Sequence, residues 1–577
     1  MRVWAFVNVA LAALIIWLPA QLVAQDLPAI LVSLQAAAQP GNFPEIQTNL
    51  PRTQWIFNGM VWLLASAMPV LAAARVVFTV GLAAWCAGWW ALARAWGRQG
   101  AVVVSLAAAA WCGWGWVMGF ANWMLAMAAG VWVLVLVVRP DWPSSRNWWL
   151  AAVLLAVTAL GHIVAAAYYG WVLLLWGVAD VPISRWKTLV LAVLPTLLVL
   201  AWAMQGVMSG GEVYFARGLV QEWQWGELPD RLRDFSGGTF LGYSDLTWLL
   251  TLLAPLAVLA TLIRPEKPAA ALRIARVVFV GGVVLYLIAP THALGWAWVA
   301  QRFGVLPLLL PMALLVSIAS VDRFIRPVVL AAVSLSLLGS IPVAMHEGQV
   351  ADDAVSMFPA QPVGSTYAVL FERTDTIAAP WVNPDIGVAG YAMMNGGISP
   401  GMFATSPAMH ITLYRDSLEN LFPGARSYFQ VFPECQATPD ACDLTARQAA
   451  ELVAIHALPF DTIVAVHPPI AFAEHLMGRG YAPIAPAAWQ LRPATLSVRY
   501  TGEPLAGMVA QVALPSGEPL AQLEFTGAGQ GESVAAFDRL PAGPFVLRVG
   551  SASQLLVEQA VHMIPGQETI FPVAAPQ

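Results

Sequence analysis

Acidic and basic side chains occur just after the first long apolar segment of the chain, where they could form a site at a membrane surface. Asp26 directly follows that segment, and Glu45 and Arg52 lie in the polar stretch FPEIQTNLPRTQW. A carboxylate at such a boundary can contact water on one side and a lipid head group on the other, which suits a general base. Alternatively, Asp26 only caps the following helix or is solvated at the interface. Both interpretations are compatible with the sequence.

Two more polar residues occur in apolar surroundings further along the chain. Asn122 lies in GFANWML and His162 lies in ALGHIVAA. His162 is a candidate for catalysis, although a structural hydrogen bond is the more common role of a lone histidine in an apolar context. Asn122 is a candidate for binding a substrate.

A third polar group lies in the segment THALGWAWVAQRFG, which contains His292, Gln301 and Arg302. Arg302 could neutralise a phosphate through its planar guanidinium, or it could reach lipid phosphates without binding a specific ligand. We predict that all these residues lie at turns on the outer side of a membrane. They could therefore converge with Asp26, although they are distant in sequence.

The composition indicates a membrane protein. Of the 577 residues, 59% are hydrophobic and 11% are charged, which is more apolar surface than a water-soluble fold can bury. The formal net charge is -5 and no run of Lys or Arg occurs, so a nucleic-acid partner is excluded.

Apolar runs predict about eleven membrane-spanning helices. They lie at about 4–24, 75–95, 101–118, 123–138, 148–161, 163–179, 188–206, 246–263, 276–291, 303–320 and 327–344. The first run could also be a cleaved signal peptide, because it has a basic start and a small-residue end. Its length favours an uncleaved anchor.

The distribution of Lys and Arg predicts that the amino terminus is cytoplasmic and that the region after residue 345 lies on the outer face. The apolar stretch at 55–73 would reverse this orientation if it crossed the membrane. We therefore interpret it as an interfacial or re-entrant segment.

The sequence predicts three domains. Residues 1–344 form an α-helical polytopic membrane domain, and residues 345–493 form an α/β domain in which FDTIVAVHPP is a strand. Residues 494–577 contain short alternating segments separated by turns, which predict an Ig-like β-sandwich. The function of the last domain is not apparent from its residues.

The cysteines divide by region. Cys86 and Cys112 lie in apolar stretches and are expected to be buried. Cys435 and Cys442 lie in PECQATPDACDL and could form a disulfide in an oxidising compartment, whereas no nearby histidine supports a metal site. Motifs typical of soluble enzymes, such as a phosphate-binding glycine loop, do not occur in a credible context.

The order of these features resembles the GT-C superfamily of polyprenyl-phosphate-dependent glycosyltransferases, and in particular a bacterial branch of multi-span proteins. The matching stretches are QDLP, GFANWMLA, GHIVAAAYYG, AQRFGVLPLLL and GYAMMNGGISPGMFA, within about residues 1–493. In that branch a His-Asp pair followed by Asn-His is expected. This chain has Gln25 before the aspartate, and Ala29 and Ile30 at the later positions.

The resemblance implies transfer of a sugar from a lipid-linked phosphosugar to an acceptor at the outer face of the plasma membrane. Asp26 would accept a proton from the acceptor hydroxyl, and Arg302 would offset charge on the departing phosphate. The cofactor is unknown, and a divalent metal ion is compatible with this chemistry. The expected partners are membrane lipid, the lipid-linked donor and a further membrane protein.

The missing His and Asn favour a different class of function. Without hydrogen bonds from those side chains, Asp26 could lack the orientation that catalysis needs. The chain would then be a non-catalytic membrane scaffold that binds a partner protein through its outer domains. A transporter is less favoured, because no inverted repeat occurs and the central spans contain almost no charge.

Overall fold

The structure is a computed structural model. It describes most of residues 2–209, the helices within 270–356, most of residues 461–574, and short stretches or isolated positions between these ranges. The chain forms two compact units. The first consists of Met1–Asp353, Thr374–Met394 and Met402–Arg415, and the second of Ala354–Arg373, Asn395–Gly401 and Asp416–Gln577.

The first unit is mainly helical, as the apolar runs predict. Its described helices are α1 (Arg2–Trp17), α2 (Leu27–Ala38), α3 (Trp55–Ala65), α4 (Val70–Ala95), α5 (Gly100–Trp111), α6 (Trp114–Val117), α7 (Ala121–Val137), α8 (Ser145–Gly161), α9 (Ile163–Asp180), α10 (Trp186–Ser209), α11 (Ala270–Ile288) and α12 (Asp322–Ser356). The predicted helices at 246–263 and 303–320 lie almost entirely outside the described residues.

Three described segments are long and apolar enough to cross a membrane. They are Val70–Ala95, Gly100–Val117 and Arg326–Asp353. The other described apolar helices are shorter. Large apolar side chains are nevertheless exposed along several of them, for example Phe6 on α1 and Leu198 on α10, as expected for helices in contact with lipid.

Hydrogen bonds between helices add to apolar packing in the first unit. The Tyr169 hydroxyl on α9 donates to the Met127 carbonyl on α7 at 2.9 Å. The Ser334 hydroxyl on α12 donates to the Asn8 side-chain oxygen on α1 at 2.8 Å. Such bonds satisfy polar groups that lipid cannot solvate.

The apolar stretch at 55–73 is divided between two helices. Helix α3 has 11 residues, so it is only about 16 Å long and too short to cross a bilayer. A turn then leads into α4, which begins at Val70 rather than at the predicted residue 75. Helix α2 was not predicted. Its 12 residues follow Asp26 in a stretch that the sequence predicts to be a long outer loop.

Short strands also belong to the first unit. Strand β1 (Ile46–Thr48) pairs antiparallel with β5 (Thr412–Tyr414), although the two are far apart in sequence. Strands β2 (His292–Ala293) and β3 (Trp296–Ala297) form a hairpin.

The second unit contains a mixed five-stranded sheet in the order β6-β4-β7-β9-β8. Its strands are β4 (Tyr367–Glu372), β6 (Val431–Phe432), β7 (Thr462–Val466), β8 (Tyr481–Ala485) and β9 (Ala488–Leu491), and helix α13 (Ile470–Gly478) follows β7. Strands β6 and β7 both pair parallel with β4. Strand β7 lies in the segment FDTIVAVHPP, which the sequence predicts to be a strand. Strand β8 follows α13 and pairs antiparallel with β9.

The carboxyl-terminal part of the second unit consists of two four-stranded sheets, in the orders β13-β14-β10-β17 and β12-β11-β15-β16. Their strands are β10 (Ala494–Thr501), β11 (Val509–Ala513), β12 (Pro519–Glu524), β13 (Thr526–Gly529), β14 (Glu532–Leu540), β15 (Gly543–Ser551), β16 (Gln554–Met563) and β17 (Glu568–Ala574). Apolar side chains of both sheets share one core, including Leu496 and Phe537 from the first and Val512 and Leu547 from the second.

This core provides a test of the packing. Leu547 on β15 is fully buried, whereas Leu555 on the neighbouring strand β16 is 58% exposed. We expect Leu547→Ala to lower the free energy of local unfolding by about 2–5 kcal/mol, because it removes apolar contacts and leaves a cavity. Leu555→Ala should change it by no more than about 0.5 kcal/mol. Hydrogen exchange of β15 in the full-length protein measures both, and equal effects would contradict the shared core.

Candidate functional site

Asp26 lies at the amino-terminal end of α2, but its side chain does not cap that helix. The carboxylate makes no cap hydrogen bond, and a proline occupies the first turn of α2. Asp26 nevertheless occupies the N-cap position of α2, where its carbonyl accepts from the Ile30 N–H at 3.2 Å. As a residue, Asp26 is half-buried, in contrast to the buried Leu27 that follows it.

A tight turn before α7 holds the backbone at Asp26. The Asp26 N–H donates to the Met118 carbonyl at 3.2 Å. Gly119 follows with a φ of +73°, and a Cβ atom there would lie only 2.6 Å from the Leu27 nitrogen and 2.9 Å from the Asp26 nitrogen. Glycine is required at this position, because any side chain would force the two segments apart.

Arg302 is buried beside this turn. Its guanidinium carbon lies 4.1 Å from the centre of the Phe120 ring, at the start of α7. Phe120 in turn packs edge-to-face against Trp114, with 5.1 Å between the ring centres. The aromatic face therefore supports the guanidinium through a cation–π contact and limits its orientations.

Arg302 interacts electrostatically with both Asp26 and His162. Burial raises the pKa of Asp26 to about 7, while the positive charge of Arg302 acts in the opposite direction. Burial also lowers the pKa of Arg302 to about 10, against the effect of Asp26. Arg302 is thus a cation at neutral pH, where the carboxyl group of Asp26 is close to its midpoint of ionisation.

His162 lies in the break between α8 and α9, where it is buried. The backbone N–H of His162 donates to the Thr158 carbonyl at 2.8 Å, and its backbone carbonyl accepts from the Ala166 N–H at 3.1 Å. The two helices are therefore nearly continuous. Burial, and then the positive charge of Arg302, hold the pKa of His162 well below its usual value. The imidazole is therefore neutral at pH 7 and can act as a hydrogen-bond donor and acceptor.

Asn122 has a clear structural role. Its side-chain oxygen accepts from the Phe57 N–H at 3.0 Å, and its side-chain nitrogen donates to the Asn58 oxygen at 2.9 Å. The Phe57 N–H belongs to the first turn of α3, where no carbonyl of the same helix can accept it. Asn122 thus joins the start of α3 to the start of α7 and contacts other protein groups rather than facing only a ligand.

Two further contacts bring α3 to the helix end that precedes His162. The buried Thr53 hydroxyl donates to the Ala159 carbonyl of α8 at 3.4 Å. A Cβ atom at Gly161 would lie 2.5 Å from the Ile56 side chain, which shows how closely the two segments approach. Neither the role of Thr53 nor the pairing of Asn58 was predicted. The only feature of the sequence that points to the pairing is a polar residue, Asn58, in an apolar stretch.

The structure therefore places Asp26, Asn122 and His162 at or next to the ends of helices, with Arg302 against Phe120 beside the start of α7. His292 lies in the β2–β3 hairpin. Several predicted site residues lie outside the described residues: Glu45, Arg52, Gln301, Cys435 and Cys442. The described part of the chain contains no group of three or more His, Cys, Asp or Glu side chains that could hold a metal ion.

Comparisons with solved structures identify several similar chains. The apo structure of ArnT from Cupriavidus metallidurans is 12% identical, matches 84% of this chain and 97% of its own, and has a TM-score of 0.48. The structure of that protein bound to undecaprenyl phosphate is 13% identical, matches 69% and 86%, and has a TM-score of 0.45. The arabinofuranosyltransferase AftD from Mycobacteria is 16% identical, matches 95% and 42%, and has a TM-score of 0.43.

No protein-family model matches the sequence, and no curated protein matches it. Each of these structures is at most 16% identical to this chain. Because each TM-score is below 0.5, the function proposed below rests on the residues of this chain.

The asparagine pair predicts a measurable coupling. Asn122→Ala should destabilise the first unit by about 1–3 kcal/mol, because it leaves the Phe57 N–H and the Asn58 oxygen without their partner. Asn58→Ala should lower the free energy of unfolding by less in a protein that already carries Asn122→Ala than in the natural chain. Thermal unfolding of the four proteins in a double-mutant cycle measures this, with the exposed Asn42→Ala as control. Strictly additive effects would contradict the pairing.

Proposed function

We propose that this chain is a membrane glycosyltransferase that moves a sugar from a polyprenyl-phosphate-linked donor to an acceptor hydroxyl at the outer face of the membrane. The observation that carries this proposal is the position of the buried cation Arg302, whose guanidinium lies against Phe120, directly after the Gly119 turn that contacts the Asp26 backbone. The charge of Arg302 affects the pKa of both Asp26 and His162. These three residues come from distant segments of an apolar chain. Ionisable groups in such surroundings are costly and are usually functional.

Asp26 is the general base in this proposal. It is partly exposed, and its pKa of about 7 lets it accept a proton near neutral pH. The acceptor oxygen forms a bond to the anomeric carbon of the donor sugar, and its proton passes to Asp26. The bond between the anomeric carbon and the phosphate oxygen breaks, and the polyprenyl phosphate leaves with the bonding electron pair.

Arg302 stabilises the charge that develops on the leaving phosphate. Because the Phe120 ring supports its guanidinium, little reorganisation is needed during the reaction. The neutral His162 supplies a hydrogen bond to the sugar or the phosphate, and the Asn122 bridge keeps the surrounding helix ends in place. Glu45, Arg52, His292 and Gln301 are further candidates for the same site, because the sequence predicts that they lie at the outer ends of spans.

The proposal includes the orientation and the domains that the sequence predicts. The amino terminus is cytoplasmic, and the site and the region after residue 345 face the periplasm or the cell exterior. The two four-stranded sheets form the Ig-like β-sandwich, and the outer domains select or present the acceptor. A divalent metal ion near Asp26 and His162 would add positive charge at the phosphate, but the proposed proton transfer does not require one.

The first test is sugar transfer from labelled membrane lipid by purified protein, comparing the natural chain with Asp26→Asn. We expect a loss of about 10²–10⁴-fold, because the amide cannot accept the proton. The exposed Asp538→Asn in the second unit is the matched control and should retain full activity.

Absence of transfer by both the natural chain and the control would overturn the proposal. Recovery of the protein in a stable complex with another membrane protein would then support the scaffold function, for which Gln25, Ala29 and Ile30 are the sequence evidence.

The pH dependence of transfer gives a second test. The rate should rise as pH increases through about 7, since Asp26 must lose its proton to act as a base. Arg302 lowers the pKa of Asp26, so Arg302→Gln should move this rise to higher pH, whereas Arg302→Lys should keep it near that of the natural chain. A profile with the same midpoint in Arg302→Gln would exclude Asp26 as the titrating group.

A further inference from the structure

A short segment between α1 and Asp26, residues 18–22, is held by two other helices. On one side lies Arg75 of α4, whose guanidinium donates to the Pro19 carbonyl at 2.5 Å and to the Ala20 carbonyl at 2.9 Å. These carbonyls follow the end of α1, where no residue of that helix can donate to them. A cation is also favoured there by the helix dipole.

A second hydrogen bond fixes the end of α1 to the same helix. The Trp17 indole donates to the Thr79 hydroxyl at 2.8 Å, and that hydroxyl donates to the Arg75 carbonyl at 2.7 Å. Helix α4 therefore holds both the last residue of α1 and the first residues of the 18–22 segment.

The other side of the segment lies against α12. The Gln21 side chain donates to the Asp352 carboxylate at 2.8 Å. A Cβ atom at the buried Gly348 would lie 2.7 Å from Pro19 Cβ and 2.8 Å from the Gln21 carbonyl oxygen. The backbone of α12 thus contacts the backbone of the segment, and no larger residue fits between them.

Only three residues separate Leu22 from Asp26, so a shift of the segment is transmitted to the carboxylate over a short length of chain. The contacts with Met118 and Gly119 restrain the backbone at Asp26 itself, and the contacts of residues 18–22 restrain the beginning of this connection. The position of the carboxylate therefore depends on restraints at both ends of this connection.

We infer that Arg75, Gly348 and Asp352 are positioning residues, which fix the 18–22 segment and thereby hold Asp26 beside Arg302. The catalytic meaning of this inference rests on the proposed function, but the positioning itself does not. None of the three residues contacts the reacting atoms; they act through Asp26.

The test uses Gly348→Ala in the full-length protein, with two measurements. The first is the rate at which a hydrophobic carbodiimide labels Asp26 at different pH values, followed by mass spectrometry. The reagent reacts with the protonated carboxyl group, so labelling of the natural chain should fall as pH rises through about 7. In Gly348→Ala the carboxylate moves away from the positive charge of Arg302, so the midpoint should shift to higher pH.

The second measurement is sugar transfer. A displacement of about 1 Å can cost about 10²-fold in rate, so kcat should fall strongly while the KM for the donor changes little. The matched control is Gly170→Ala in α9, where no atom lies within 4 Å of the added Cβ. Both its labelling midpoint and its kcat should equal those of the natural chain.

Asp352→Ala provides a second variant in case Gly348→Ala does not fold. It removes the acceptor for Gln21 and should shift the midpoint in the same direction, whereas Asp352→Asn keeps an acceptor oxygen and should restore it. Unchanged midpoints and kcat in Gly348→Ala and Asp352→Ala would overturn the inference. A shifted midpoint in a protein whose natural form transfers no sugar would support the positioning and refute the proposed function.

Discussion

The central constraint on this structure is the presence of a charged guanidinium inside an apolar assembly of helices. An isolated charge at such a position is strongly unfavourable, and it is tolerated only with an opposite charge or suitable polar and aromatic contacts. Arg302 has both, because Asp26 supplies the negative partner and the Phe120 ring supplies a cation–π face. The surrounding turns must therefore hold Asp26, Phe120 and Arg302 close together, although these residues lie on three separate segments of the chain.

The polar groups of the site lie at helix ends rather than in helix interiors. An α-helix in an apolar environment satisfies its own backbone hydrogen bonds, but its ends leave N–H and C=O groups that need partners. The Asn122 side chain accepts from such an N–H group in α3, and Arg75 donates to carbonyls after α1. The hydrogen bonds that satisfy these helix ends therefore also hold the helices around Asp26 in place.

Asp26 differs from its neighbours in the site in its exposure to solvent. His162 and Arg302 are buried, whereas Asp26 is partly exposed. The positive charge of Arg302 lowers the pKa of Asp26 relative to burial alone, so the carboxylate can be ionised near neutral pH and still be basic. This combination suits a group that receives a proton from a substrate arriving at the surface.

The sequence by itself determined the positions of the apolar helices, such as α7, α8 and α9, because membrane-spanning length and composition are local properties of the chain. It also indicated Asp26, His162 and Arg302 as candidates for a site, since charged and polar residues are conspicuous in apolar surroundings. Only the tertiary structure showed that α2 follows Asp26 and that Asn122 bridges to Asn58. The contact of Gln21 with Asp352 joins residues 331 positions apart. Such pairings depend on how helices pack in space, and packing leaves no periodic or compositional signal in either segment.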